Sequence, residues 1–289
     1  MTPSLKASSR AVVDVAPVSM SAVQYARDAG AMTDTVLYER DGHVATITYN
    51  RPQALNAVNG ELRQDLNAAW EQFRADEEAW VGIVTGAGRA FCVGADLKDG
   101  RGSVGEWPGT FWEIPTINSF ESGLEIWKPT IAAVPGYCLG YGLTAVLRCD
   151  FVIAADDAEF GFPEVRLGVP TIVGAMRLPG RVGWSNAMEL LLTGDRVDAT
   201  AAREMGLVWR VVERDALMNE ARALADRLVA GAPLAQRAIK EIAARGPNLP
   251  WEDAVRFGES MRRVVGATAD AAEGMQAARE ARAPSWQGR

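Results

Sequence analysis

The chain has 289 residues, with 30 Lys+Arg against 37 Asp+Glu and a net charge of −7 at neutral pH, a balance that argues against a general nucleic-acid binder. One histidine and three cysteines exclude a disulfide framework and a His/Cys metal cluster, and leave His43 as the sole imidazole for any Ser–His–Asp triad. The chemistry therefore falls to carboxylates, hydroxyls or backbone amides.

Residues 1–34 read as a flexible leader. Lys6 and Arg10 precede an apolar segment broken by Asp14 and Pro17, which does not make an export signal. No uninterrupted apolar run reaches the ~18–20 residues of a membrane span, and reduced Cys92, Cys138 and Cys149 point to the cytoplasm. VLYERDGHVATITYNRP predicts two alternating strands around the Asp41-Gly42 turn, with His43 as a surface hairpin residue. The spacing of Leu62, Leu66, Trp70 and Phe73 predicts an amphipathic helix capped by Asn59. VGIVTG at 81–86 reads as a buried strand, followed by GRAFCVGADL and a Gly- and Trp-rich stretch from Gly100 to Trp127. TIAAVPG and FVIAA (151–155) are strand-like and flank a helix opened by GYCLGYGLTAVLRCD. Further helices follow, with Ser185 and Thr200 as starts and Gly194, Gly206, Gly231 and Gly246 as stops. VWRVV is one more strand. Helical segments then cover 215–231, Pro233 to Gly246, 251–265 and 269–283. Strands interleave with helices over 35–212, and 213–289 is all helical, an α/β core with a C-terminal helical region.

Three separated segments carry the functional signal: NRPQALNAV (50–58), RAFCVGADL (89–97) and KPTIAAVPGYCLGYGLTAVLRCDFVIAADDAEFGFPEVRLG (128–168). LTGDRVDATAAREMGLVWRVV (192–212) follows in order. Together they resemble the enoyl-CoA hydratase/isomerase (crotonase) superfamily from about Thr35 to the C-terminus. The resemblance implies a ClpP-like fold of repeated ββα units with C-terminal helices that form trimers, often dimers of trimers. It implies a coenzyme A thioester as substrate, no separate cofactor and a place in fatty acid metabolism.

It also implies an oxyanion hole of two backbone N–H groups, at Ala95 and Tyr141, gripping the thioester oxygen as charge develops in an enolate; losing one such donor typically costs ~10²–10³ in rate. The helix beginning near Gly142 adds its positive end. Tyr141 stands where the family has glycine, but any residue except proline keeps the amide; its phenol either narrows the pocket or is a tolerated turn substitution. Glu164 in FGFPEV matches one of the two glutamates of family hydratases, and burial in an apolar pocket raises a carboxyl pKa toward the working range. The second glutamate is Thr144 here, and a hydroxyl is too weak an acid to replace it. Thr171 and Ile172 occupy the region where dienoyl isomerases place their second acid, which disfavours that branch.

The remaining acids Asp99, Glu106, Glu113, Glu121 and Glu125 read as solvated, and Asp96 as a brace of its loop. Trp107, Phe111, Trp112, Phe120 and Trp127 form either an acyl pocket or a packing surface. Ala54, Leu55 and Ala57 match the family's backbone strip along coenzyme A. Ala95, Asp96, Leu97 and Gly140 belong to the substrate-facing loops. Lys98 and Lys240, with Arg51 weaker, are the candidates for its phosphates. Three readings follow: a single-carboxylate double-bond isomerase centred on Glu164, a divergent hydratase (a lyase) with Thr144 for the second acid, and a non-catalytic coenzyme A-binding protein. RNA binding, known in one crotonase-like branch through a lysine-studded first helix, is opposed by the acidic ELRQDLNAAWEQFRADEEAW.

Overall fold

The computed structural model describes residues 34–99, 119–121 and 123–289. The expected leader lies almost wholly outside them, as do Glu106, Trp107, Phe111, Trp112 and Glu113.

The predicted hairpin forms as β1 (Val36–Asp41) and β2 (Val44–Tyr49), antiparallel and joined through Gly42. Helix α1 (Gly60–Ala75) follows, and the Asn59 side chain accepts from Leu62 N at 2.9 Å as its cap. Strands β3 (Val81–Gly86), β4 (Ala90–Cys92), β5 (Thr130–Val134), β6 (Tyr137–Leu139), β7 (Phe151–Ala155) and β8 (Glu159–Gly161) come in successive pairs, with helix α2 (Tyr141–Val146) after β6. The first member of each pair joins a six-stranded sheet ordered β1-β2-β3-β5-β7-β10, where β10 is Arg210–Val212. The second joins a four-stranded sheet ordered β4-β6-β8-β9, where β9 is Arg196–Asp198. This repetition is the expected crotonase pattern. Apart from β1/β2 and β8/β9, the pairings are parallel.

Period-two alternation divides the larger sheet between two apolar layers. Ile47, Tyr49, Val84, Ala132, Val134, Val152 and Ala154 face the α1 side, against Leu62, Leu66, Trp70 and Phe73. Val44, Val81, Ile83, Ile131, Ala133 and Ile153 face helix α6 (Leu217–Val229), against Leu217, Ala221 and Leu224. Covering on both faces explains the unbroken apolar runs of these parallel strands.

Helices α3 (Val173–Val182), α4 (Trp184–Thr193) and α5 (Ala199–Glu204) lie between β8 and β10. Two expected caps are corrected. Helix α4 starts at Trp184, so Ser185 is already inside it and makes no capping bond; Gly183 supplies the turn. Helix α5 is capped by Asp198, whose carboxylate accepts from Ala201 N at 2.8 Å, and Thr200 again falls inside. Helices α7 (Pro233–Arg245), α8 (Trp251–Gly266) and α9 (Ala269–Arg279) complete the C-terminal region. The chain end is tied back: Trp286 donates to Ala230 O, and the Gln287 and Gly288 amides donate to the buried Asp270 carboxylate. Among the described residues no helix is long and apolar enough to cross a membrane.

His43 follows the hairpin turn as expected, and is held there. Its ring stacks on Trp80 with centroids 3.6 Å apart, and Nδ1 lies 2.8 Å from Glu78 O. Cys92, Cys138 and Cys149 are buried free thiols. Burial pushes Cys92 and Cys149 up to about 12, so neither carries a reactive thiolate.

Candidate active site

The site forms where the loops after β4 and β6 meet the turn after β8. The Cys92–Ala95 loop is pinned by an isolated parallel bridge between Val58 and Ala95: Val58 N donates to Gly94 O and Asp96 N to Val58 O. The Ala95 N–H points away from this bridge and has no acceptor among the described residues. Tyr141 is the first residue of α2, where a helix leaves its N–H unpaired. A methyl group built on Gly94 would stand 3.9 Å from Tyr141 N, so the two loops are in contact. Gly94, next to Ala95, and Tyr141 are thereby neighbours. Gly142 lets α2 lie on β4, since a Cβ there would come within 2.6 Å of Cys92 O.

Gly140 between them has φ 53° and ψ −118°, a conformation for glycine alone. Its missing side chain leaves room for the base: a Cβ would lie 2.8 Å from Glu164 Oε1. Glu164 enters in the short 3₁₀ turn Pro163–Leu167. Its Oε2 is buried without a hydrogen-bond partner. Burial raises the Glu164 pKa, with the residue's own backbone N–H pulling weakly the other way. A half-buried carboxylate with one unpaired oxygen can take a proton from carbon, and unpaired backbone amides can hold an oxyanion.

Thr144 is buried one helical turn on, and its hydroxyl donates to Gly140 O at 3.2 Å. No second carboxylate stands at that position. Ile172 is 61% exposed at the start of α3, and neither it nor Thr171 offers an acid.

The structure revises several neighbours. Glu121, expected to be solvated, is 8% exposed and pairs with Arg63 at 3.8 Å. The Arg63 guanidinium lies 5.0 Å from the Tyr141 ring centroid. Burial, then the Glu121 charge, holds the Tyr141 phenol well above its ordinary range, so it stays neutral. Phe120 is a core residue stacked on Trp70 at 3.7 Å, whereas Glu125 pairs with Arg245 at the surface as expected.

The strip at Ala54, Leu55 and Ala57 is shaped by a residue the motif reading did not single out. Asn56 is fully buried, accepts from Arg51 N, and donates to Ala87 O and Ala90 O at 3.0 and 2.8 Å. Leu55 and Asn56 both have positive φ, 50° and 57°. This backbone is held by its bonds, and asparagine is the residue other than glycine that best tolerates it. The tolerance for positive φ was the available signal. Asp96 braces its loop as expected, accepting from both Arg51 Nη atoms at 3.2 Å. That bond and one to Ala57 O occupy Arg51, which removes it as a phosphate ligand. Lys240, the other expected phosphate ligand, donates its ammonium to Lys128 O and the Asp150 carboxylate, both at 2.8 Å. It pairs with this half-buried acid. Leu97 and Lys98 are exposed beside the strip, so Lys98 remains free to meet an anion.

Two sheets built from successive strand pairs define an α/β enzyme fold, and the chain belongs to the enoyl-CoA hydratase/isomerase family, whose model matches residues 39–289. It is 39% identical to a probable enoyl-CoA hydratase of Mycobacterium bovis, covering 88% of this chain and 98% of that one. It is 36% identical to the (E)-benzylidenesuccinyl-CoA hydratase of Thauera aromatica, covering 88% and 99%. The solved structure of enoyl-CoA hydratase from Mycobacterium tuberculosis H37Rv is similar with a TM-score of 0.81 at 36% identity, covering 89% of this chain and 100% of that one.

Proposed function

We propose that this chain is an acyl-CoA enzyme that moves a double bond through a thioester enolate, with Glu164 as its single acid/base. The observation that carries this reading is the half-buried Glu164 carboxylate against Gly140, its Oε2 without a partner, with threonine at the family's second acid position. Glu164 removes a proton from C2 of a 3-enoyl thioester. The C–H electron pair becomes the C1–C2 double bond of a dienolate, and the charge rests on the thioester oxygen between the Ala95 and Tyr141 amides. Protonation at C4 by the same carboxyl leaves the double bond at C2–C3. One carboxylate suffices because it holds the proton between the two steps. Coenzyme A runs along the Ala54–Ala57 strip with Lys98 near a phosphate, and no cofactor is needed.

Hydration is the second reading, favoured by the names of the similar proteins, among them a hydratase for benzylidenesuccinyl-CoA. Activating water and protonating Cα is work that family hydratases divide between two glutamates, and the Thr144 hydroxyl is already bonded to Gly140 O. Self-association as a trimer or dimer of trimers is supported by the C-terminal helices: α8 buries no residue, and Ile239, Trp251 and Val264 are 66%, 78% and 68% exposed. The test is a panel of 3-enoyl-, 2-enoyl- and aryl-enoyl-CoA thioesters. Faster turnover of the 3-enoyl substrate is expected. Faster water addition to a 2-enoyl substrate overturns the isomerase reading in favour of hydration, and coenzyme A binding without turnover of any thioester favours a binding protein.

A further inference from the structure

Away from Glu164, two adjoining cavities of about 360 and 440 Å³ open between α2, α3, α5 and β7. They share Asp150 and Arg181. Arg148 and Arg177 line one and the exposed Arg203 the other, so four arginines line these adjoining cavities of a protein whose net charge is −7. None of the four has a carboxylate within ion-pair distance among the described residues. Arg181 donates to Cys149 O, and Arg148 to Leu124 O, while the buried Arg148 Nε has no partner. Neither the Arg177 nor the Arg203 side chain makes a hydrogen bond or ion pair with any described residue. The one acid in the cleft, Asp150, is already matched by Lys240 at 2.8 Å.

Gathering like charges at a half-buried place is unfavourable unless an anion offsets them. Burial and then the charge of Arg148 push the Arg177 pKa down to about 10, with Glu121 pulling the other way. At neutral pH the group remains cationic. Guanidinium forks match phosphate oxygens bidentately, and the half-exposed Trp209 forms part of the wall.

We propose that the Arg148–Arg177–Arg181–Arg203 cleft is a binding site for a small phosphate-class polyanion. It shares no residue with the Glu164 centre or the Ala54–Lys98 strip, so it stands independently of the reaction proposed above.

The probe is inorganic pyrophosphate, titrated calorimetrically into the full chain at low salt with coenzyme A at saturation, so that any coenzyme A phosphate site is already filled. We expect one saturable event per chain, with a Kd of about 10 μM to 1 mM, weakening as salt rises. Arg177→Gln and Arg203→Gln break no observed bond. Together they are expected to weaken pyrophosphate at least tenfold, whereas Arg256→Gln, whose surface partner is Asp253, leaves it unchanged. Equal binding by the double variant and wild type overturns the site. Malonate binding where pyrophosphate does not overturns the phosphate class. If the double variant dissociates by light scattering and wild type shows no pyrophosphate heat, the cleft is filled by carboxylates of another copy and the proposal falls.

Discussion

Replacing Tyr141 by proline removes one amide hydrogen and little else of the helix. Tyr141 occupies the first position of α2, where proline fits and the N–H has no helical acceptor. The fold therefore loses no hydrogen bond of its own. The ring is lost as well, with its place under Arg63, so the proper reference is Tyr141→Ala, which loses the same ring and keeps the amide. If the Tyr141 and Ala95 amides share the oxyanion, deleting one is worth about 2.7–4 kcal/mol, or ~10²–10³ in kcat. The assay is steady-state turnover of a 3-enoyl-CoA by the two variants, with circular dichroism to confirm that both are folded. Tyr141→Pro should fall below Tyr141→Ala by that factor. Turnover by Tyr141→Pro within threefold of Tyr141→Ala would refute the reasoning, since the oxyanion would then be held elsewhere.

The raised Glu164 pKa places the acidic limb of kcat/KM above the ordinary carboxylate range, because activity falls as the base is protonated on lowering the pH; a limb at the ordinary glutamate value contradicts the burial argument. The same shift has a stability sign. A carboxyl whose pKa is higher folded than unfolded favours the fold below its unfolded pKa, and that contribution is lost as pH rises through the folded value. Glu164→Gln should therefore melt above wild type at pH 8, with the gap closing in acid, as thermal scans at both pH values would show. Asn56→Ala strands Arg51 N, Ala87 O and Ala90 O and leaves alanine at positive φ; a loss of about 2–4 kcal/mol in denaturant titration is expected, and a loss under 0.5 kcal/mol contradicts the clamp. Thr144→Glu restores a carboxyl one turn after Gly140 and should raise 2-enoyl-CoA hydration about tenfold or more; unchanged hydration would mean that the missing acid is not the limit.

Local signals were the legible ones. The Asp41-Gly42 hairpin, the Asn59 cap and the apolar strands of the larger sheet each declare themselves within a few neighbouring residues. The smaller sheet did not. Its strands Ala90–Cys92, Tyr137–Leu139, Glu159–Gly161 and Arg196–Asp198 are three residues each, too short for alternation, and exist through pairing across the chain. The same divide runs through the site. Motif order brought out Glu164, Ala95 and Tyr141, since their roles depend on position in a loop. The fate of long charged side chains depends on distant partners: Arg51 is taken by Asp96, Lys240 by Asp150, and Glu121 by Arg63. A lysine bound to an internal aspartate and one awaiting a phosphate look alike in one dimension. Thr144 was readable as a missing acid, but its hydrogen bond to Gly140 O needed the folded helix.

The central claim is that Glu164 alone carries the proton of a thioester enolate. Proton NMR of an acyl-CoA in D₂O measures this directly, by following exchange at Cα with wild type and with Glu164→Gln. Wild type should wash deuterium into Cα, and the variant should lose that exchange by ~10² or more. Exchange at the wild-type rate in Glu164→Gln would contradict the account, because another group would then be the base.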